Sequence, residues 1–259
     1  MAWMQSLNPA LRDWRGQSVW IVGASSGIGR ATASALHAQG ALVTVSARNA
    51  QALDSFVQSH PGSTAHVLDC SDALAVAQAA QQCWPHSAPA MVLYCAGHYQ
   101  PMRAQAMDLE DMRRHWEVNY LGALNVLQSV LPAMRARGTG HVSLVASVAG
   151  YRGLPNSLAY GPTKAAMINL AENLYLDLQA DGIAVSVVNP GFVQTPLTAK
   201  NSFSMPALIS PEQAAQAMLQ GWARGQFEID FPRRFTVWMK LLRIMPRRWY
   251  FYLVGKVTA

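Results

Sequence analysis

The stretch SVWIVGASSGIG, Ser18–Gly29, runs a short block of β-forming residues straight into a turn carrying three glycines, Gly23, Gly27 and Gly29. A helical pattern, Ile28–Gln39, follows at once. Glycines allow a tight turn and let backbone approach a ligand closely, and the N-terminus of the helix behind them offers free N–H groups and the positive end of its dipole. A plain strand-to-helix connection would also use glycine here. The strand before the turn and the helix after it point instead to a cradle for a dinucleotide pyrophosphate.

Outward from this turn the same alternation repeats. Further β-rich runs are Leu42–Ser46, Ala65–Leu68, Met91–Tyr94, His141–Val145, Ala184–Val188 and, more weakly, Phe227–Phe231. Between them lie helical patterns over Ala50–Ser59, Asp72–Cys83, Leu109–Arg137 (one long helix or a pair) and Pro162–Asp181. Ser210, Pro211 and Glu212 read as an N-cap, a first-turn proline and an acidic first turn of another helix. Strands alternating with helices and joined by right-handed crossovers give an α/β fold, a Rossmann-type doubly wound parallel sheet. The expectation is one nucleotide-binding domain over residues 1–232, with a basic amphipathic helical extension over 233–259. In such sheets ligands sit outside the carboxyl ends of the strands, so the residues just after each strand carry the functional signal.

With 259 residues, 51% of them apolar, the chain can bury one sizeable core. Its three cysteines, Cys70, Cys83 and Cys95, are odd in number and lack CxxC spacing. Neither a disulfide framework nor a metal site is expected, and a cytoplasmic setting fits. Met1–Gly16 has no basic region followed by an apolar run, so no signal peptide is expected, and no run approaches the ~20 apolar residues of a spanning helix. The net charge of +6 is segregated: residues 231–259 hold seven basic and no acidic side chains, leaving 13 basic against 14 acidic in the remainder. That distribution argues against a nucleic-acid binder, which would carry its basic surface on the main domain.

The second strand is followed by Ala47-Arg48-Asn49, and no Asp or Glu occurs between Arg30 and Leu53. A site selective for NAD(H) wants an acid here for the ribose 2′-hydroxyl. A carboxylate would repel a 2′-phosphate, whereas Arg48 can hold one with a bidentate, charge-assisted contact. NADP(H) is the expected cofactor, although an exposed loop arginine would look the same in sequence.

Tyr160-Gly161-Pro162-Thr163-Lys164 sets a tyrosine and a lysine four apart, on one face of a helix that tolerates proline in its first turn. A phenol has a pKa of ~10, and lowering it by about three units takes roughly 4 kcal/mol. A cation ~4 Å away at an effective dielectric of ~20 supplies that order of energy. Lys164 is therefore expected to lower the pKa of Tyr160 and make it a usable acid/base. A core tyrosine beside a solvated lysine is the plainer alternative.

The GxxxGxG turn, YxxxK, Ser147 thirteen residues before Tyr160, and Asn119 in Asn119-Tyr120-Leu121-Gly122 together resemble the short-chain dehydrogenase/reductase family, over residues ~17–230. The resemblance implies a catalytic group of Asn119, Ser147, Tyr160 and Lys164. In it Ser147 hydrogen-bonds the substrate oxygen, Tyr160 gives or takes its proton, Lys164 also contacts the nicotinamide ribose, and Asn119 anchors a water relay. It further implies a cofactor site of Gly23, Ser25, Ser26, Gly27, Ile28, Gly29, Arg48, Asp69, Ala96, Gly97, Tyr160, Lys164, Pro190, Gly191, Val193 and Thr195. Asp69 would lie near the adenine, or else serve as an N-terminal charge for the helix near Asp72. In Tyr94-Cys95-Ala96-Gly97, Cys95 replaces a family asparagine and reads as a small buried filler. Pro190–Thr195 would run along the nicotinamide, with Thr195 at the carboxamide.

Leu197–Leu208 occupies the place of the family's substrate lid, with Leu197, Phe203, Met205 and Leu208 suggesting an apolar pocket and Tyr151–Ser157 its opposite wall. In the extension, Phe235, Trp238, Leu242 and Met245 recur at helical spacing among cations, and Arg247-Arg248-Trp249-Tyr250-Phe251-Tyr252 follows Pro246. Such a segment suits the anionic inner face of a membrane, or packs on the domain or another subunit. The expected activity is interconversion of a small-molecule carbonyl and alcohol, on a hydrophobic or lipid-like substrate, by a homo-oligomer (dimer or tetramer). A catalytically silent NADP(H) sensor or scaffold is the rival reading, disfavoured because it has no need of a tuned tyrosine. A nucleotide-sugar epimerase is disfavoured by the short C-terminal portion.

Overall fold

The computed structural model describes residues 6–201 and 203–258. Met1–Gln5, Ser202 of the lid stretch and Ala259 lie outside the described residues. The strands are β1 (Ser18–Val22), β2 (Leu42–Ala47), β3 (Thr64–Val67), β4 (Met91–Tyr94), β5 (Gly140–Val145), β6 (Ile183–Pro190) and β7 (Glu228–Phe231). They form one sheet in the order β3-β2-β1-β4-β5-β6-β7, with every pair parallel. The chain order reverses between β1 and β4, where a doubly wound sheet opens a crevice.

Parallel strands covered on both faces need apolar side chains on both, and the period-2 alternation sorts them. In β1, Trp20 and Val22 join the cluster containing Val92, Tyr94, Val142 and Val185. Val19 and Ile21 join the opposite cluster, with Val43, Val45, Met91 and Leu93. The first face is covered by α3 (Ala73–Cys83), α5 (Gly122–Arg137) and α6 (Tyr160–Leu178). The second is covered by α1 (Gly27–His37), α2 (Ala50–Ser59) and α7 (Pro211–Ala223). Ser210 caps α7 as its sequence predicts: its hydroxyl accepts from Gln213 N–H (3.3 Å), Gln213 Oε1 accepts from Ser210 N–H (3.0 Å), and Pro211 opens the first turn. Asp72 caps α3, accepting from the Leu74 and Ala75 N–H groups.

The stretch read as one long helix or a pair is two α-helices joined without a break by a π turn. α4 (Leu109–Trp116) continues into a π turn over Glu117–Leu121 and then into α5. The extra residue in this turn is accommodated by a close contact: the Tyr94 hydroxyl donates to the Val118 carbonyl, and a Cβ on Gly122 would meet that hydroxyl at 2.3 Å. π turns collect at functional sites, and this one holds Asn119.

After β7 come α8 (Arg233–Ile244) and α9 (Arg247–Thr258). The inward face of α8 carries Phe235, Thr236, Met239 and Leu242, with Met239 in the same buried cluster as Val185 and Val187. Trp238, which the sequence places at helical spacing with Phe235, Leu242 and Met245, is 66% exposed. Lys240 ties the helix to β7 through Asp230 (2.6 Å) and Glu228 (3.0 Å).

Trp222 of α7 is fully buried and donates toward Ser186 Oγ (3.2 Å) and Ser143 Oγ (3.3 Å) beneath β5 and β6. Trp222→Ala should lower unfolding free energy by about 3–5 kcal/mol, read from the urea midpoint with the m-value checked for constancy.

Candidate active site

The glycine turn after β1 is shaped for close approach. Gly23 has φ +94°, and a Cβ there would meet Ala96 N at 2.3 Å; a Cβ on Gly29 would meet Gly23 O at 2.2 Å. No side chain fits at either position, so β1, the turn and the loop after β4 lie backbone to backbone. Ser26, the N-cap of α1, makes no side-chain capping bond, which leaves first-turn N–H groups to an anion. This cradle suits a dinucleotide pyrophosphate, and it opens a cavity of about 310 Å³ at the carboxyl ends of the strands, within the ~300–1,000 Å³ range of small-molecule sites.

All sixteen residues expected to hold the cofactor line that cavity, as does Ser147. At one end stand Arg48, just beyond β2, and Asp69, beyond β3, with 3.8 Å between Arg48 Nη1 and Asp69 Oδ2. Both side chains are substantially exposed, so this pair contributes little and leaves the guanidinium free to engage a ligand. The sequence leaves Asp69 between a ligand-facing role and a helix-capping one. Capping of α3 falls to Asp72, and Asp69 faces the cavity. Burial pushes its carboxyl up, but the N–H (3.0 Å) and hydroxyl (2.7 Å) of Ser71, together with the charges of Arg48 and Arg114, hold it below its ordinary value.

At the other end Ser147 follows β5, and Tyr160 and Lys164 occupy the first turns of α6. Ser147 accepts from Ala149 N–H (3.1 Å) and donates to the Pro190 carbonyl (3.4 Å). Lys164 is 3% exposed, donates to the Val145 carbonyl at 2.9 Å, and carries its Nζ 5.5 Å from the Tyr160 ring centroid. The expected electrostatics need correction. The Tyr160 pKa is raised, not lowered: burial dominates, and hydrogen bonding with Ser147 only partly opposes it. Burial brings Lys164 down to about 8. The YxxxK spacing sets a cation one turn away, but desolvation of both groups is the larger effect. Cys95 lines the cavity with its thiol pushed up to about 11 by burial, as a packing residue with no thiolate character.

Asn119 lies behind the cavity wall, fully buried in the π turn. Its Oδ1 accepts from His98 N–H (2.6 Å), and its Nδ2 donates to His98 O (3.0 Å) and Thr163 Oγ1 (3.0 Å). The amide thus pins the loop after β4 to the helix that carries Tyr160.

Several neighbours were not foreseen. Tyr99 packs edge-on to Tyr160, ring centroids 5.0 Å apart, and its hydroxyl reaches Asn201 Oδ1 at 2.8 Å; Lys200 Nζ donates to Tyr99 O at 2.9 Å. His98 Nε2 lies 2.6 Å from Asp111 Oδ1, and the ring of His115 stands 6.5 Å from Tyr160. Buried His115 is held by Asp111 O at Nδ1 (2.8 Å) and receives Gln100 N–H at Nε2 (3.2 Å), which fixes its proton on Nδ1. Burial lowers its pKa. Only the i,i+4 spacing of Asp111 and His115 could have hinted at this cluster. Thr198, also unforeseen, accepts from Thr195 N–H (3.0 Å) and donates to Val193 O (2.6 Å), steadying Thr195 at the cavity edge.

Residues 17–205 match the family model described as short chain dehydrogenase. A protein of Myxococcus xanthus named "Uncharacterized oxidoreductase" is 33% identical over 231 residues, covering 87% of this chain and 91% of that one. The human protein named 17-beta-hydroxysteroid dehydrogenase 13 is 27% identical over 241 residues, covering 90% of this chain and 80% of that one. A solved structure titled "short chain dehydrogenase/reductase family protein" superposes with a TM-score of 0.77 at 24% identity, over 85% of this chain and 97% of the other, and attests the fold.

The buried ammonium gives a test of the geometry independent of turnover. Below pH 8 Lys164 is protonated in both folded and unfolded chains, and the folded state bears the desolvation. Between about 8 and its ordinary 10.5 the unfolded chain keeps a proton that the folded one releases, so this site's penalty fades as pH rises. Lys164→Met should therefore stabilise the protein by roughly 3 kcal/mol at pH 7. The gain should shrink as chemical denaturation is repeated from pH 8 to 10.5, and a pH-independent difference would contradict the burial.

Proposed function

The chain belongs to the short chain dehydrogenase family and is an oxidoreductase, and we propose that it interconverts a carbonyl compound and its alcohol with NADP(H), using Tyr160 as proton donor and acceptor. The observation that carries this reading is the convergence of Ser147, Tyr160 and Lys164 on one end of the cavity whose other parts suit a dinucleotide. Bound there, the nicotinamide supplies or accepts the hydride. The residues of the chain do the rest.

Ser147 donates a hydrogen bond to the substrate oxygen, and Tyr160 gives that oxygen its proton as the carbonyl becomes an alcohol. At neutral pH the phenol of Tyr160 carries the proton that this step requires. The Lys164 charge stabilises the phenolate left behind, since the interaction strengthens in a site of low dielectric. Asn119 serves by position: with His98 and Thr163 it fixes the loop and helix that border the tyrosine.

NADP(H) is favoured over NAD(H) by Arg48 at the end of β2, with no acid in the stretch around it. A hydrophobic substrate is supported by Leu197 at the cavity edge and by the neighbouring Phe192 and Phe203, whose rings lie 5.8 Å apart. The human relative's name, a hydroxysteroid dehydrogenase, points to the same class of apolar alcohol.

Tyr160→Phe should reduce NADPH-coupled carbonyl reduction by at least about 100-fold while leaving NADPH affinity nearly unchanged; near-native turnover would refute the assignment. Arg48→Asp should weaken NADPH binding at least about tenfold and narrow or reverse the preference over NADH, measured by fluorescence titration with both cofactors. An unchanged ratio would remove Arg48 from the phosphate site.

A further inference from the structure

The inward side of the C-terminal extension is firmly engaged. Arg152 donates to the Leu242 carbonyl (2.8 Å) and the Met245 carbonyl (2.6 Å) at the end of α8, and its guanidinium lies 4.0 Å from the Tyr250 ring centroid. Tyr250 is buried and donates to Gly153 O at 2.5 Å. Phe235 packs on Gly191 and lies 5.4 Å, ring to ring, from Phe192. The extension therefore braces the wall between Ser147 and Tyr160, beside the cleft.

Its outward side is of a different character. Val237, Trp238, Leu241 and Ile244 follow one another at helical spacing on α8, and Trp249, Phe251, Tyr252 and Leu253 follow on α9; all are exposed, Ile244 to 80% and Trp238 to 66%. Arg233, Arg234, Arg243, Arg247, Arg248 and Lys256 are exposed among them, and no acidic residue occurs from 231 onward.

We propose that the outward faces of α8 and α9 dock on an anionic lipid bilayer and hold the substrate side of the cleft against it. Large apolar side chains, interfacial tryptophan and tyrosine, and a rim of arginines make up a surface that lies in the headgroup region. Neither helix exceeds 12 residues, and no helix among the described residues is long and apolar enough to cross a membrane, so the contact is lateral. A second copy of the chain is the poorer occupant. A two-fold interface sets a patch on itself, and here that would bring two sets of arginines together with no carboxylate between them. An anionic bilayer answers the charge and the apolar surface at once. The consequence for substrate, entry of an apolar carbonyl compound from the lipid, rests on the proposed reaction; the docking does not.

The full chain should co-sediment with vesicles of phosphatidylcholine containing phosphatidylglycerol, far less with phosphatidylcholine alone, and less as salt is raised. Arg247→Gln with Arg248→Gln should weaken binding about 30-fold, each cation being worth roughly fivefold. Trp238→Ser with Ile244→Ser should weaken it at constant charge, and NADPH binding by each variant shows that the fold is kept. Equal binding to both vesicle types, no binding, or binding untouched by both double variants would overturn the proposal. So would loss of a dimer in Trp238→Ser/Ile244→Ser without any vesicle binding, which would assign the surface to a second copy. Because the readout is binding, failure here leaves the oxidoreductase reading intact, and failure of turnover leaves the docking intact.

Discussion

Burying an ammonium group is the constraint around which this site is arranged. Lys164 keeps 3% of its surface exposed and has fallen to about 8 in pKa, which is a cost of roughly 3 kcal/mol at neutral pH. A fold holds such a charge only where the surroundings fix it. The Val145 carbonyl at the end of β5 receives its proton at 2.9 Å. The short 3₁₀ turn after Ser147 presses on the helix at the same level, so closely that a Cβ on Gly150 would meet the Lys164 carbonyl carbon at 2.6 Å. One strand end and the first turns of one helix thus set Ser147, Tyr160 and Lys164 relative to each other.

The parts of the molecule that could be read from sequence are those governed by neighbours along the chain. The glycine turn, the apolar runs of β1 and β4 and the N-cap at Ser210 each depend on spacings of a few residues, and each stands where its pattern puts it. Strand ends moved by a residue or two: β3 begins at Thr64 and β6 continues to Pro190, because pairing with a neighbour, not local propensity, decides where a ladder stops.

What escaped the sequence depends on distant contacts. The π turn at Glu117–Leu121 is shaped by Tyr94 reaching Val118, and the His98–Asp111–His115 cluster joins a loop after β4 to α4. Helical spacing puts Trp238 on one stripe with Phe235 and Leu242, yet Met239 takes the inward place: Thr236 bonds Asp230 and Lys240 bonds Glu228 and Asp230, and these set the rotation of the helix. The Tyr160–Lys164 electrostatics failed for a related reason. Spacing gives the separation of two groups along a helix but says nothing of how much water is removed from each, and removal of water is the leading cause of the shift at both.

This contrast explains why the class of cofactor is legible and the substrate is not. The dinucleotide end of the cleft is made of residues that each follow directly on a strand: the turn after β1, Arg48 after β2, Asp69 after β3. The substrate end is assembled across the chain. Phe203 of the lid stretch touches Phe192, Phe192 touches Phe235 of α8, and Arg152 between Ser147 and Tyr160 receives the end of that same helix through the Leu242 and Met245 carbonyls. A change in the C-terminal extension is therefore carried to Phe192, Phe203 and Arg152, the side of the cleft where the proposed reaction puts its substrate. Two chains could share every residue of the dinucleotide cradle and still differ at this wall, through a segment that does not itself line the cavity.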